Sequence, residues 1–228
     1  MKRILVWDLP TRIFHWALVC CVVAAFIAVQ IGGNAMVWHG RFGLAVLGLL
    51  VFRLVWGFAG STYARFSQFV RGPSAILAYL RGEWRGEGHN PLGALSVLAL
   101  LGTLSLLVAT GLFSNDDIAF EGPLYALVGK DLSDQLVGIH RLIEPLIILL
   151  VLAHLGAIMF YAHVKRENLV KPMLRGWKES EQGDGARGGG IAAFVVAVSI
   201  ALAAVAAGSG LWLPAPPPAP AAAPAQNW

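Results

Sequence analysis

The sequence predicts an all-α integral membrane protein: a four-helix transmembrane bundle followed by a fifth, C-terminal transmembrane helix. Three observations carry this. Charged residues make up only 13% of the chain, against about 25% in an ordinary soluble domain. Five apolar stretches lie near residues 13–31, 40–59, 91–113, 138–161 and 191–213, and each approaches or exceeds the roughly 20 residues that cross a bilayer as a helix. The charges between them alternate in sign from one connection to the next. The plan is a four-helix membrane domain over residues 1–178, a polar glycine-rich linker over 179–190, the fifth helix over 191–213 and a Pro/Ala-rich tail over 214–228.

Lys2 and Arg3 precede the first stretch, as they would in a secretory signal. Asp8, Pro10, Arg12 and His15 interrupt that pattern, and no small-x-small cleavage site follows, so the segment reads as a retained helix. Cys20 and Cys21 are adjacent, point in different directions on a helix, and read as small buried hydrophobes. A turn near Gly32–Asn34 leads into the second helix. The third opens with Gly88-His89-Asn90-Pro91, where Asn90 suits a cap, Pro91 a first turn, and His89 a local role. After the fourth helix comes the polar run Gly183–Gly190. The fifth helix is rich in Ala and Val and has no histidine, so its place is beside the bundle core. The tail Pro214–Pro224 alternates Pro and Ala and reads as extended or disordered.

The net charge of +4 is topology rather than a nucleic-acid footprint, and no nucleic-acid partner is expected. Cations cluster at Lys2, Arg3 and Arg12, at Arg65, Arg71, Arg81 and Arg85, and at Lys165, Arg166, Lys171, Arg175 and Lys178. The loop between helices three and four carries Asp116, Asp117, Glu121, Asp131 and Asp134 against Lys130 alone. The positive-inside rule places the N-terminus in the cytoplasm and the acidic loop and the C-terminus outside. Trp16 and Trp56 then fall at the inner interface and Trp38 and Trp212 at the outer one, as an aromatic belt.

The histidines carry the chemistry. His140 and His154 are fourteen residues apart in one helix, which puts them within about 40° of one face and ~21 Å apart along the axis. One helix can thus present a ligand to each of two haems stacked across the bilayer. The crossing pattern puts His15 at the depth of His154, and His39 at the depth of His140. Depth therefore pairs His15 with His154 and His39 with His140 as axial ligands of two b-type haems. Bis-histidine ligation suits electron transfer rather than gas binding. A single histidine on an apolar helix would be an ordinary buried side chain. Four that agree in depth and face, where ionisable groups are expensive, are ligands. The chain has no C-x-x-C-H for covalent haem attachment. His163 lies on the face opposite His154 and is not a ligand.

The sequence resembles the bacterial cytochrome b561 family, and in particular the cytochrome b subunits of nickel–iron hydrogenases. The carrying segments are Trp7-Asp8 through Arg12 to His15-Trp16; His39 with Gly40 and Gly43; Arg53-Leu54-Val55-Trp56-Gly57 on to Ala64-Arg65-Phe66; Gly88-His89-Asn90-Pro91; and His140 with His154. The resemblance covers roughly residues 4–178. It implies a dihaem protein of the bacterial inner membrane that passes electrons between quinone and a periplasmic redox partner, either a dehydrogenase such as a hydrogenase or a c-type cytochrome. An electron-transfer subunit is implied more than a stand-alone enzyme. Membrane lipid and quinone are the other partners, and a homodimer stays open.

Arg53 is fourteen residues after His39 and so faces the core at the depth of the inner haem; Arg12 shares the face of His15. Either guanidinium suits a haem propionate or a quinone oxygen, against the plainer role of snorkelling to lipid phosphates. Glu144 sits one turn from His140 and is a proton-transfer candidate or the partner of Arg41 or Arg141. The hydrogenase resemblance favours a quinone site near the inner haem, by His154, Arg53 and His163. Two other functions compete. A superoxide:quinone oxidoreductase would want a basic outer rim, and this one is acidic. A non-redox transporter or scaffold would show interrupted helices with polar midplane residues.

Overall fold

The computed structural model describes residues 2–84, 86–118, 120–181 and 183–214. Arg85 and the tail beyond Pro214 therefore lie outside the described residues. In chain order the elements are β1 (Lys2–Leu5), α1 (Leu9–Ile31), α2 (Met36–Ala59), α3 (Phe66–Phe69), α4 (Pro73–Leu80), α5 (Pro91–Gly111), α6 (Gly129–His163), α7 (Val170–Arg175), β2 (Trp177–Ser180) and α8 (Ile191–Gly208). Among the described residues, α1, α2, α5, α6 and α8 are long and apolar enough to cross a membrane. Each overlaps one of the five apolar stretches, though α1, α2 and α6 begin earlier than expected and α8 stops at Gly208, five residues short of the expected end at 213.

Local chemistry sets the helix ends. Asp8 accepts a hydrogen bond from the Thr11 backbone N–H at 2.7 Å and starts α1, with Pro10 in its first turn. Gly32, at φ 69°, ends that helix in a conformation that favours glycine. Asn90 caps α5 by accepting from the Gly93 N–H at 2.7 Å, ahead of Pro91.

Helix α6 is longer than its apolar stretch predicts. It has 35 residues, or about 52 Å at 1.5 Å per residue, against a hydrocarbon core of about 30 Å. Its first turns, with Lys130, Asp131 and Asp134, are polar and read from hydropathy as loop. They are helical because the loop ahead of them is stapled on. The fully buried Ser133 hydroxyl donates to the Phe113 carbonyl at 2.6 Å, and the Asn115 amide donates to Ser133 Oγ at 2.7 Å.

The bundle is two helical hairpins and an outrigger. α1 packs on α2, α5 packs on α6, α2 meets α5, and α8 lies along α2. α1 and α6 scarcely touch, which leaves a slot between the hairpins. Apolar side chains such as Phe58, Leu142 and Ile191 point outward, as lipid requires. The α2–α8 seam uses small residues: Ala197 and Ala201 are buried against Phe52 and Trp56, Gly48 faces Val205, and Gly208 faces Leu47. Small side chains let helix backbones approach where no hydrophobic force drives them together.

A polar belt closes the end of the bundle that holds the N-terminus. β1 and β2 pair antiparallel, from Lys2 opposite Ser180 to Leu5 opposite Trp177. The chain then runs on across that end. Ala186 N–H donates to the Leu5 carbonyl at 2.7 Å, the Thr62 N–H to the Arg187 carbonyl at 2.8 Å, and the Tyr63 hydroxyl to the Asp184 carbonyl at 2.6 Å. The polar run before α8 is thus pinned to the bundle, and β2 straddles the expected boundary at residue 178. Trp56 departs from its expected place in an interfacial belt. It is fully buried, stacked on Phe52, and donates its indole N–H to Asp8 at 3.1 Å. The cause is this crossing segment together with α8. Gly189, at φ 66°, passes so close that a Cβ there would lie 2.9 Å from the Trp56 ring. Trp16, Trp38 and Trp212 are exposed at the helix ends.

Candidate functional site

Two pairs of histidines face each other across the slot. At the far end, away from the N-terminus, His39 on α2 and His140 on α6 have ring centroids 6.1 Å apart. At the N-terminal end, His15 on α1 and His154 on α6 are 6.5 Å apart. An imidazole nitrogen binds a transition metal at about 2.0–2.1 Å, and a ring centre lies about 1.1 Å behind it, so two imidazoles on one ion have centroids about 6.2–6.4 Å apart. Both pairs meet that spacing closely. Among the described residues no three His, Cys, Asp or Glu side chains converge as a bare metal ion needs. Two facing imidazoles are a donor set that would suit the iron of a porphyrin.

Both rings of the far pair are fixed by hydrogen bonds. His39 presents Nδ1 to the Ala25 carbonyl at 3.0 Å, and His140 presents Nδ1 to the Leu107 carbonyl at 2.9 Å and to Thr110 Oγ1 at 3.1 Å. With Nδ1 carrying the proton, Nε2 of each ring is left with its lone pair for a metal. A cavity of about 500 Å³ opens here, lined mainly by aliphatic side chains and by Gly40, Gly43 and Gly111. That is within the usual range for a cofactor site. A Cβ on Gly111 would lie 3.1 Å from the His140 ring, whereas one on Gly43 would stand in open space. Phe120 and Ile118 from the acidic loop also line the cavity, as does Glu144, which has no ion-pair partner among the described residues. The pairing with Arg41 or Arg141 weighed from the sequence is not made.

The N-terminal pair has a different surround. His15 Nδ1 is buried without a hydrogen-bond partner. Arg53 is 3% exposed, lies with its guanidinium 4.8 Å from the Phe66 ring centre and 5.9 Å from that of Phe69, and keeps Nη1 unpartnered. Gly57 makes room for Phe66, which would overlap any Cβ there. His89 lies between Trp7 and Phe69, each 4.6 Å away between ring centres, and its Nδ1 is buried and unpartnered although a rim of the side chain stays open. Burial first, then the charge of Arg53 and the nearness of His154 and His15, lower its pKa to about 3, so the ring is neutral. The sequence assigned His89 only a local role in the cap, since nothing near it in the chain reveals Trp7 or Phe69 as neighbours. The histidine itself, in a segment touching the bundle end, was the available signal.

The structure draws the other candidates elsewhere. Arg12 turns from the slot and donates from Nη1 to the Leu174 carbonyl at 2.6 Å, capping α7, while Trp16 donates to the Met173 carbonyl at 3.4 Å. His163 is exposed and holds the Met159 carbonyl of its own helix at 3.0 Å.

A family model, that of prokaryotic cytochrome b561, matches residues 6–176. The chain belongs to the prokaryotic cytochrome b561 family. The match takes in both histidine pairs, Arg53 and His89, and stops before α8. Neither the curated proteins nor the solved structures contain a significant match. As a cytochrome b561 the chain is a multi-pass membrane protein of electron transfer that binds haem b, and its histidine geometry is of a kind that such a group fits.

Proposed function

We propose that this cytochrome holds two b-type haems, one on His15 and His154 and one on His39 and His140, and carries electrons across the membrane between quinone and a redox protein on the far side. The observation behind this is the pair of facing histidines at each of two depths, at 6.5 Å and 6.1 Å. Haem iron supplies one-electron redox chemistry. The chain's part is to hold each iron between two imidazoles and to keep water from it with an aliphatic wall. The Nδ1 contacts of His39 and His140 fix their ring orientation and raise their basicity as ligands.

The N-terminal end, with its cations, faces the cytoplasm in this reading, and the acidic loop faces the periplasm. Asp116, Asp117, Glu121, Asp131 and Asp134 belong to that loop and the start of α6, and Asp116 lines the cavity with His39 and His140. That charge suits a basic c-type cytochrome, or the basic face of a dehydrogenase, better than it suits the capture of superoxide. Quinone exchanges near the other pair, where buried polar groups are available.

The test is haem stoichiometry with paired variants. A pyridine haemochrome assay should give about two acid-extractable b haems per chain. His15→Ala and His154→Ala should abolish one haem signal, and His39→Ala and His140→Ala the other. A single haem in the wild type, or His15→Ala and His39→Ala removing the same signal, would overturn the assignment.

A further inference from the structure

The two ends of the slot differ in their polar accounting. Every buried side-chain nitrogen or oxygen left without a partner, among the described residues, belongs to Thr11, Arg12, His15, Arg53, Ser61, Arg65 or His89, all at the N-terminal end. At the far pair both histidine Nδ1 atoms are satisfied. A buried charge without a counter-ion is costly, and proteins seldom keep one unless something arrives to pair it.

Arg53 is such a charge. No carboxylate lies within ion-pair distance of it among the described residues. The acid close enough to influence it is Asp8, and its two oxygens are already engaged, one by the Thr11 N–H and the other by the Trp56 indole. Beside Arg53, across the shared Phe69 ring, stands neutral His89 with a spare ring nitrogen. The charge of Arg53 reaches His89, and so do those of His15 and His154. A guanidinium and an imidazole that share the Phe69 ring as a neighbour, each with an unpartnered buried nitrogen, match one chemical group best: a carboxylate, which can accept from both and cancels the single positive charge. A quinone carbonyl would accept hydrogen bonds but leave that charge standing.

We infer that Arg53 and His89 together form the seat for a propionate carboxylate of the haem held by His15 and His154. The inference rests on the two-haem reading. Arg53 supplies the charge and His89 a directed N–H. Phe66, Phe69 and Trp7 form an aromatic wall around the two side chains, and Gly57 makes room for Phe66. Both are positioning residues: they act on the carboxylate edge and not on the iron. The propionate edge of that haem consequently points toward the N-terminal end of the bundle.

The test uses the full chain purified with its haems, the N-terminal haem being identified as the signal lost in His15→Ala. Arg53→Gln, Arg53→Lys and His89→Gln are compared with wild type by redox titration and by redox-difference infrared spectroscopy with carbon-13 in the propionates. Arg53→Gln should shift the reduced-to-oxidised ratio of the N-terminal haem at least tenfold toward the oxidised form, a fall of about 59 mV for one electron. Arg53→Lys should restore part of that. His89→Gln should keep both haems and displace a propionate carboxylate band. The far haem should be unchanged throughout. Loss of the N-terminal haem in Arg53→Gln with retention in Arg53→Lys also supports the seat. Unchanged propionate bands and potentials in all three variants overturn it, as does an effect confined to quinol kinetics. Should the arginine variants fail to accumulate, His89→Gln decides alone. Fewer than two haems in the wild type would instead count against the two-haem reading, and is seen before any variant is made.

Discussion

Gly111 shows how closely the His140 ring is packed. It lies on α5 opposite His140, with 3.1 Å between the ring and where a Cβ would be. The ring is also held by the Leu107 carbonyl and Thr110 from the same helix. A larger residue must push His140 off these contacts or off its approach to His39. Gly111→Val should therefore reduce the His39–His140 haem to a minor fraction while leaving the His15–His154 haem at wild-type occupancy, as read by haemochrome and low-temperature absorption. Equal loss of both haems would mean that the glycine serves packing in general. Gly43, where a Cβ meets nothing, needs its hydrogen for a different reason. It borders the cavity, and Gly43→Val should fill space that a cofactor requires, with the same selective outcome.

Among the elements, α8 and the belt make separable contributions. Helix α8 lies against α2 through Ala197, Ala201, Gly48 and Gly208, and does not line the far cavity. A Cβ at Gly48 would lie 2.8 Å from Val205, so Gly48→Leu should wedge the two helices apart. The expected result is a lower thermal unfolding midpoint in detergent, with haem content at the start of the scan near that of wild type. A residual seam would leave a loss of about 1–3 kcal/mol, as for other overpacked contacts. The belt depends on pH through Glu87. Its carboxylate accepts a hydrogen bond from Ser180 and pairs with Lys178 at 3.0 Å. Burial works to raise its pKa, but Ser180 and Lys178 outweigh that and hold it below the usual carboxylate value. A depressed carboxylate pKa adds stability above the unfolded value, about 4.3, and that stability is lost as pH falls through the folded one. Protease cleavage around residues 181–190 should accordingly rise as pH drops below about 4. Glu87→Gln should be cut readily even at pH 7.

At the scale of the molecule, the five crossings and the histidine pairing were legible because helix arithmetic is local. Fourteen residues on α6 set face and depth whatever surrounds them, and the same count from His39 put Arg53 into the core. What could not be read depends on partners distant in sequence. Trp56 is buried by residues more than a hundred positions later, His89 by Trp7 and Phe69, and the first turns of α6 are helical because Ser133 and Asn115 meet there. Arg12 shares the face of His15, as expected, but the Leu174 carbonyl takes it, and no local pattern announces that. Orientation is read from the alternation of charge. If it is right, a reporter that works only in the cytoplasm, fused after Trp228, should be silent. Strong activity there would mean that α8 does not cross.

The pairing of β1 with β2 also bears on the order of events during synthesis. The first strand is made at once, but its partner lies at residues 177–180. Until four helices have been threaded into the membrane, Lys2–Leu5 has nothing to pair with and Trp56 lacks its cover. Since chains emerge N-terminus first, the belt at the N-terminal end cannot form until residues 177–180 have been made, and α8 follows after it. The strand pair thus joins the first residues made to a segment made only after the fourth long helix.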